Sequence, residues 1–174
     1  TKKGTFFFAD TTVNFQPSTQ ILVDTTLLVA EAVEHFHIEP VIALVSYSNF
    51  GSIKTGSPSR AKEAVQILHQ EHPELCVDGE MQMNYALNTE LRNKKFPFSK
   101  LGNKQVNTII FPNLSSGNIA YKMMQEIGES QVIGPLLLGI GKPVHILQME
   151  SSVREIVDMA AFAVVDAQYQ ESIK

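Results

Sequence analysis

The chain has 174 residues, 44% of them apolar, enough to bury a core and consistent with one domain or slightly more. Its 14 Lys and Arg against 18 Asp and Glu give a net charge of −4, with both signs interspersed and no basic run, which argues against a nucleic-acid or anionic-membrane surface. Cys76 stands alone, so no intrachain disulfide forms and a reducing, cytoplasmic compartment fits; no stretch approaches the ~20 apolar residues of a membrane span.

The chain opens on Thr1 rather than Met, and the strand-like Phe6-Phe7-Phe8 follows almost at once. No signal peptide is therefore expected, and Thr1-Lys2-Lys3 reads as a cut end of something longer. Residues 5–9 (TFFFA) read as a first strand, leading into the polar run Asp10-Thr11-Thr12-Val13-Asn14. Pro17 and Ser18 begin a helix whose apolar face carries Ile21, Leu22, Leu28, Val29, Val33 and Phe36. Residues 41–45 form a second, fully apolar strand that runs into Ser46-Tyr47-Ser48-Asn49-Phe50-Gly51-Ser52. After a Gly, Ser and Pro loop, a helix is expected over 59–71, ended by Pro73. Cys76-Val77 is a short strand leading into Asp78-Gly79-Glu80, followed by a helix over 83–92 and a basic, irregular link over 94–105.

The stretch that organises the rest is 106–122, VNTIIFPNLSSGNIAYK. Val106 to Phe111 is too short for a helix and rich in β-branched residues, so it reads as a buried parallel strand that Pro112 stops. Asn113, Ser115, Ser116, Gly117 and Asn118 then crowd a turn before a helix that ends near Gly128. A fifth strand is expected over 132–138, a turn over 139–143, and a last helix from Ser151 or Ser152 to about Tyr169. The alternation of strand and helix predicts an α/β fold: three layers, a mostly parallel sheet of about five strands, helices on both faces. The last helix is apolar on nearly every side, through Val153, Ile156, Val157, Met159, Phe162, Val164 and Val165. It is expected to pack on a missing subdomain or on a second protomer. The resulting division is 1–143 for the α/β unit and 144–174 for the crossing helical segment.

Several signals are weak. There is no GxGxxG after a strand and no Walker A sequence; Gly139-Ile140-Gly141-Lys142-Pro143 lacks the Ser or Thr that a phosphate loop needs after its lysine. His35, His37, His69, His72 and His145 show no zinc spacing; His35 and His37 fit a helix C-terminus, where the dipole favours them. Cys76 has no evident base beside it and reads as a buried, inert thiol. Asp78 and Glu80 fit either an acid–base pair or turn carboxylates. Three polar turns nonetheless follow three buried strands, at 10–14, 46–52 and 113–118. Parallel strands would gather them on one rim, with Lys54, Arg60 and Lys142 available for negative charge. Such a cleft suits a phosphorylated or pantetheine-bearing small molecule. The candidate ligand contacts are Ser46, Ser48, Asn49, Phe50 and Gly51 from the second turn, Asn113, Ser115, Ser116 and Asn118 from the third, and Lys142 facing phosphate.

Residues 5–17 (TFFFADTTVNFQP), 41–51 (VIALVSYSNFG), 77–81 (VDGEM), 110–122 (IFPNLSSGNIAYK) and 134–147 (GPLLLGIGKPVHIL) resemble, in order, motifs of the phosphate acetyltransferase/butyryltransferase family. The closer likeness is to the family's version fused behind an NADP-dependent malic enzyme, through SYSNFGS, VDGEM, KPVHIL and VDMAAFAVVDAQ. The resemblance covers the second half of the family domain and implies its isocitrate/isopropylmalate dehydrogenase-like fold. It also implies where this chain departs from active members, which follow KPV with Leu-Ser-Arg-Gly and then Ser-Val-x-Asp. Here Gln148 replaces the serine, Met149 the arginine and Glu155 the aspartate. The expectation is a degenerate transferase without catalytic residues of its own, in which acetyl-CoA binding survives as an effector site. No cofactor belongs to this segment, and NADP and a divalent metal would belong to the parent's catalytic domain. The implied partners are acetyl-CoA, the malic enzyme catalytic domain and further copies of the chain in a homo-oligomer. An active phosphate acetyltransferase and a purely oligomerising module are the competing readings.

Overall fold

The computed structural model describes residue 1 and residues 4–128 and 131–172; Lys2 and Lys3 of the expected cut end lie outside the described residues. The chain divides into two units, Thr1–Glu129 and Ser130–Lys174.

The first unit alternates strand and helix: β1 (Phe7–Ala9), α1 (Thr19–Glu34), β2 (Val41–Val45), α2 (Gly56–Glu71), β3 (Cys76–Met81), α3 (Met83–Leu87), α4 (Thr89–Lys95), β4 (Thr108–Ile110) and α5 (Leu114–Ile127). The four strands pair in parallel in the order β1-β4-β2-β3. All five residues of β2 are buried because both faces of this central strand are covered. Val41, Ala43 and Val45 share one core with Met81, Ile109 and Phe111, closed by Ala86 of α3, by Leu101 and Val106, and by Ala120 of α5. Ile42 and Leu44 point the other way, where α1 and α2 pack on each other and on the sheet. The product is the three-layer α/β arrangement that the alternation of elements predicts.

Local chemistry sets the helix ends. Ser18 caps α1 by accepting the Ile21 N–H at 3.2 Å. His35 closes the same helix at its C-cap, 3.7 Å from Glu31. The single helix expected over 83–92 is two helices, because Asn88 leaves helical geometry and its side chain caps the second by accepting from Leu91 N–H. That second helix also occupies part of the link expected to be irregular. The strand expected to end at Val77 runs on to Met81, so Asp78, Gly79 and Glu80 are ladder residues rather than a turn. Cys76, expected to be buried, is half-buried, and burial is the main cause that pushes its thiol up.

The second unit holds residues 131–150 without regular structure and α6 (Val153–Ser172). The fifth strand expected over 132–138 is absent among the described residues. Pro135 has no N–H to give a ladder, and an apolar run signals burial without guaranteeing a pairing partner. Ser152 caps α6: its hydroxyl accepts the Glu155 N–H at 3.3 Å, and Glu155 Oε2 accepts the Ser152 N–H at 2.7 Å. This reciprocal pair is a capping box. Of the apolar α6 side chains, Met159 is buried, whereas Val153, Ile156, Val157, Val164 and Val165 are exposed. No described helix is long and apolar enough to cross a membrane.

Candidate functional site

Parallel pairing brings the C-terminal ends of all four strands to one rim. The loops there are joined in two pairs. On one side, Phe111 N–H donates to Ala9 O at 2.6 Å, Leu114 N–H to Phe15 O at 3.4 Å, and Asn118 Nδ2 to Thr11 O at 3.2 Å. Gly117 sits so close to the Asp10 carbonyl that a Cβ would collide with it, so α5 rides directly on the loop after β1. Within that loop the Asp10 carboxylate accepts the N–H groups of Thr12, Val13 and Asn14 and the Asn14 amide. Burial alone would raise the Asp10 pKa, but these donors outweigh it and hold the carboxyl below its ordinary value.

On the other side, the loop after β2 is tied to the end of β3. Leu44 pairs with Gly79 and Val45 with Met81, which leaves Glu80 as an extra residue in β3, a bulge that aims its side chain at the β2 loop. Glu80 Oε1 accepts from Ser48 Oγ at 2.8 Å and from Gly51 N–H at 2.9 Å. Phe50 N–H donates to Glu80 O at 2.7 Å, and Gln82 N–H to Asn49 Oδ1 at 2.9 Å. Glu80 is 0% exposed, and its Oε2 has no hydrogen-bond partner in the protein; neither does the buried Ser46 Oγ on the adjacent strand end. Gly79 makes the bulge possible, since a Cβ there would lie 2.5 Å from Leu44 O and its φ is +147°.

Between the two joined loop pairs lie the adjacent strands β4 and β2. The helix after β2 covers one face of the sheet and the helix after β4 the other. A crevice at that divergence is where open α/β sheets bind ligands. Ser46, Ser48, Asn49, Phe50 and Gly51 stand on its β2 side; Asn113, Ser115, Ser116 and Asn118 stand on its β4 side. Asn113 is the N-cap of α5, with Oδ1 accepting from Ser116 N–H and Ser116 Oγ, both at 3.0 Å. Several donors at this helix start are therefore already satisfied within the protein, while Ser115 is exposed. Lys142 is exposed in the second unit, within residues 131–150. So are Gln148, Met149 and Glu150, with Met149 100% exposed.

Phe96, Phe98, Lys62 and Arg92, which sequence reasoning did not single out, stand with Phe50 and Asp78 on the β2 side. Phe50, at φ +47°, stacks its ring against Phe96 and Phe98, with centroids 4.8 and 5.0 Å away. Lys62 of α2 folds back over Gly51. Arg92 is wholly buried and donates to the carbonyls of Tyr85, Ala86, Gly102 and Lys104; burial lowers its pKa. Asp78 is buried nearby and accepts from Ser99 Oγ and Lys100 N–H, so neither residue is free for acid–base work. Among the described residues no three His, Cys, Asp or Glu side chains gather to hold a metal ion.

Residues 1–164 match the model of the phosphate acetyl/butaryl transferase family. The chain belongs to that family. It is 42% identical over 168 residues to an NADP-dependent malic enzyme of Escherichia coli, covering 96% of this chain and 22% of that protein. It is 35% identical over 168 residues to a phosphate acetyltransferase of Clostridium acetobutylicum, covering 96% of this chain and 50% of that protein. A phosphotransacetylase from Streptococcus pyogenes superposes with a TM-score of 0.86 at 35% identity, over 98% of this chain and 51% of that one. The chain thus spans about half the length of these transferases and less than a quarter of the malic enzyme.

Proposed function

We propose that this family member is a non-catalytic acetyl-CoA-sensing domain of an NADP-dependent malic enzyme, a cytoplasmic homo-oligomer that oxidatively decarboxylates malate to pyruvate. Acetyl-CoA binds at the rim and biases the assembled domains through its different affinity for their alternative arrangements. The observation that carries the reading is Met149, an exposed thioether where the family resemblance implies an arginine. Moving an acetyl group between CoA and phosphate needs a cation for the phosphate dianion, and losing a bidentate arginine contact costs ~1.5–3 kcal/mol. Glu155, at the position implied for the family aspartate, uses its carboxylate in the α6 cap. Two of the chain's three arginines are committed elsewhere: Arg92 is bound to four carbonyls, and Arg154 pairs with Asp158 and Gln131 in the second unit; the third, Arg60 of α2, has a buried Nε with no hydrogen-bond partner.

The phosphate acetyltransferase relatives favour a second reading, an active transferase. A coupled assay of acetyl phosphate formation by the full-length parent separates the two. The sensing reading expects no turnover, together with a change in malate decarboxylation as acetyl-CoA is added. Turnover at an ordinary enzymatic rate, or decarboxylation indifferent to acetyl-CoA, defeats it.

A further inference from the structure

Lys62 stands in the second turn of α2, yet its side chain runs back to the loop after β2. Its Cδ and Cε lie 3.0 Å from the point a Gly51 Cβ would occupy, and its Nζ lies closer still. Only the absence of a side chain at Gly51, which also has a φ of +82°, allows this path. Among the described residues no carboxylate lies within ion-pair distance of the Lys62 ammonium, and no hydrogen-bond acceptor holds it. Beneath the same glycine, the buried Glu80 carboxylate takes the Gly51 N–H and fixes the loop. The half-buried stem and unpartnered head describe a lysine whose hydrocarbon is packed against backbone while its charge is presented at the rim.

We propose that Lys62 is the cation of this rim and binds a phosphate group of the ligand, with Glu80 as the residue that positions Gly51 beneath it. The proposal rests on the acetyl-CoA reading for the identity of the ligand, but its chemistry is that of a phosphate oxygen against an ammonium, whether the phosphate belongs to CoA or is free. A lysine offers a compact point charge and three donors, which suits a phosphate approached from one side.

The test uses the full-length parent and isothermal titration with acetyl-CoA and, separately, with inorganic phosphate. Lys62→Met is expected to weaken acetyl-CoA binding about tenfold, as loss of one charge-assisted contact does. Lys62→Arg should recover most of that loss, and the exposed Lys95→Met should match the unsubstituted protein. A loss confined to inorganic phosphate assigns Lys62 to free phosphate instead of CoA and still upholds the phosphate contact. Melting curves accompany each variant, and Lys62→Gln repeats the measurement should the methionine variant melt lower. Lys62 variants that bind both probes within twofold of the unsubstituted protein overturn the proposal. An unsubstituted parent that binds no acetyl-CoA overturns instead the sensing reading on which the ligand's identity rests.

Discussion

The Ser48 hydroxyl donates to Glu80 Oε1 at 2.8 Å, joining the loop after β2 to the bulge of β3. The same oxygen takes the Gly51 N–H, so one buried carboxylate oxygen anchors the loop at both Ser48 and Gly51. Replacing Glu80 by Ala strands both donors and opens a hole. The expected cost is about 2–4 kcal/mol, read from urea unfolding. Glu80→Gln keeps an acceptor for Ser48 and Gly51 and should cost less than half as much.

Gly79 is the condition for that bulge. A methyl group there would meet Leu44 O at 2.5 Å, on backbone atoms that cannot move without breaking the β2–β3 ladder. Gly79→Ala is expected to destabilise the fold by at least about 3 kcal/mol, combining left-handed strain with the clash. A variant with an unchanged denaturation midpoint would contradict the close approach.

Arg92 ties together four carbonyls spread from Tyr85 to Lys104. Arg92→Met leaves buried acceptors unpaired and should cost about 3–5 kcal/mol. Arg92→Lys should rescue little, because an ammonium cannot reach in four directions as a planar guanidinium does. Chemical denaturation of both variants checks this.

Asp10 gives a prediction in pH. Its carboxyl is held below the ordinary value in the folded protein, so its contribution is present above the unfolded pKa of about 3.9 and is lost as pH falls through the folded value. Asp10→Asn should therefore lower the melting temperature at neutral pH, and the gap to the unsubstituted protein should close below about pH 4. A gap that persists or widens in acid would contradict the assigned role of the carboxylate.

Much of the fold was legible because apolar runs and polar turns alternate cleanly. Val41–Val45 matches its expected bounds, and Ser18, Asn113 and Gly128 punctuate helices where turn chemistry places them. The misses share a cause: long-range partners overrode local signals. Asp78-Gly79-Glu80 looks like a turn in isolation, yet pairing with β2 and bonds from Ser48, Gly51 and Ser99 make it a strand. Residues 132–138 look like a strand, yet no pairing partner is found for them among the described residues. Arg92 and Lys62 were invisible as site builders because their roles depend on carbonyls and a glycine in neighbouring elements, which no local sequence pattern marks. The rim itself was legible, since polar turns after buried parallel strands have few other places to gather.

Cys76 opens β3 at the end of the sheet away from the Glu80 bulge, roughly 13 Å along the strand. It is the chain's one cysteine, half-buried and with its thiol pushed up by burial. Maleimide or iodoacetamide chemistry at this position is therefore slow near neutrality and speeds up in mild alkali. Within this segment a fluorophore or spin label attaches at a single, defined place, remote from the crevice, and its signal can follow loop motion at the far end without obstructing it.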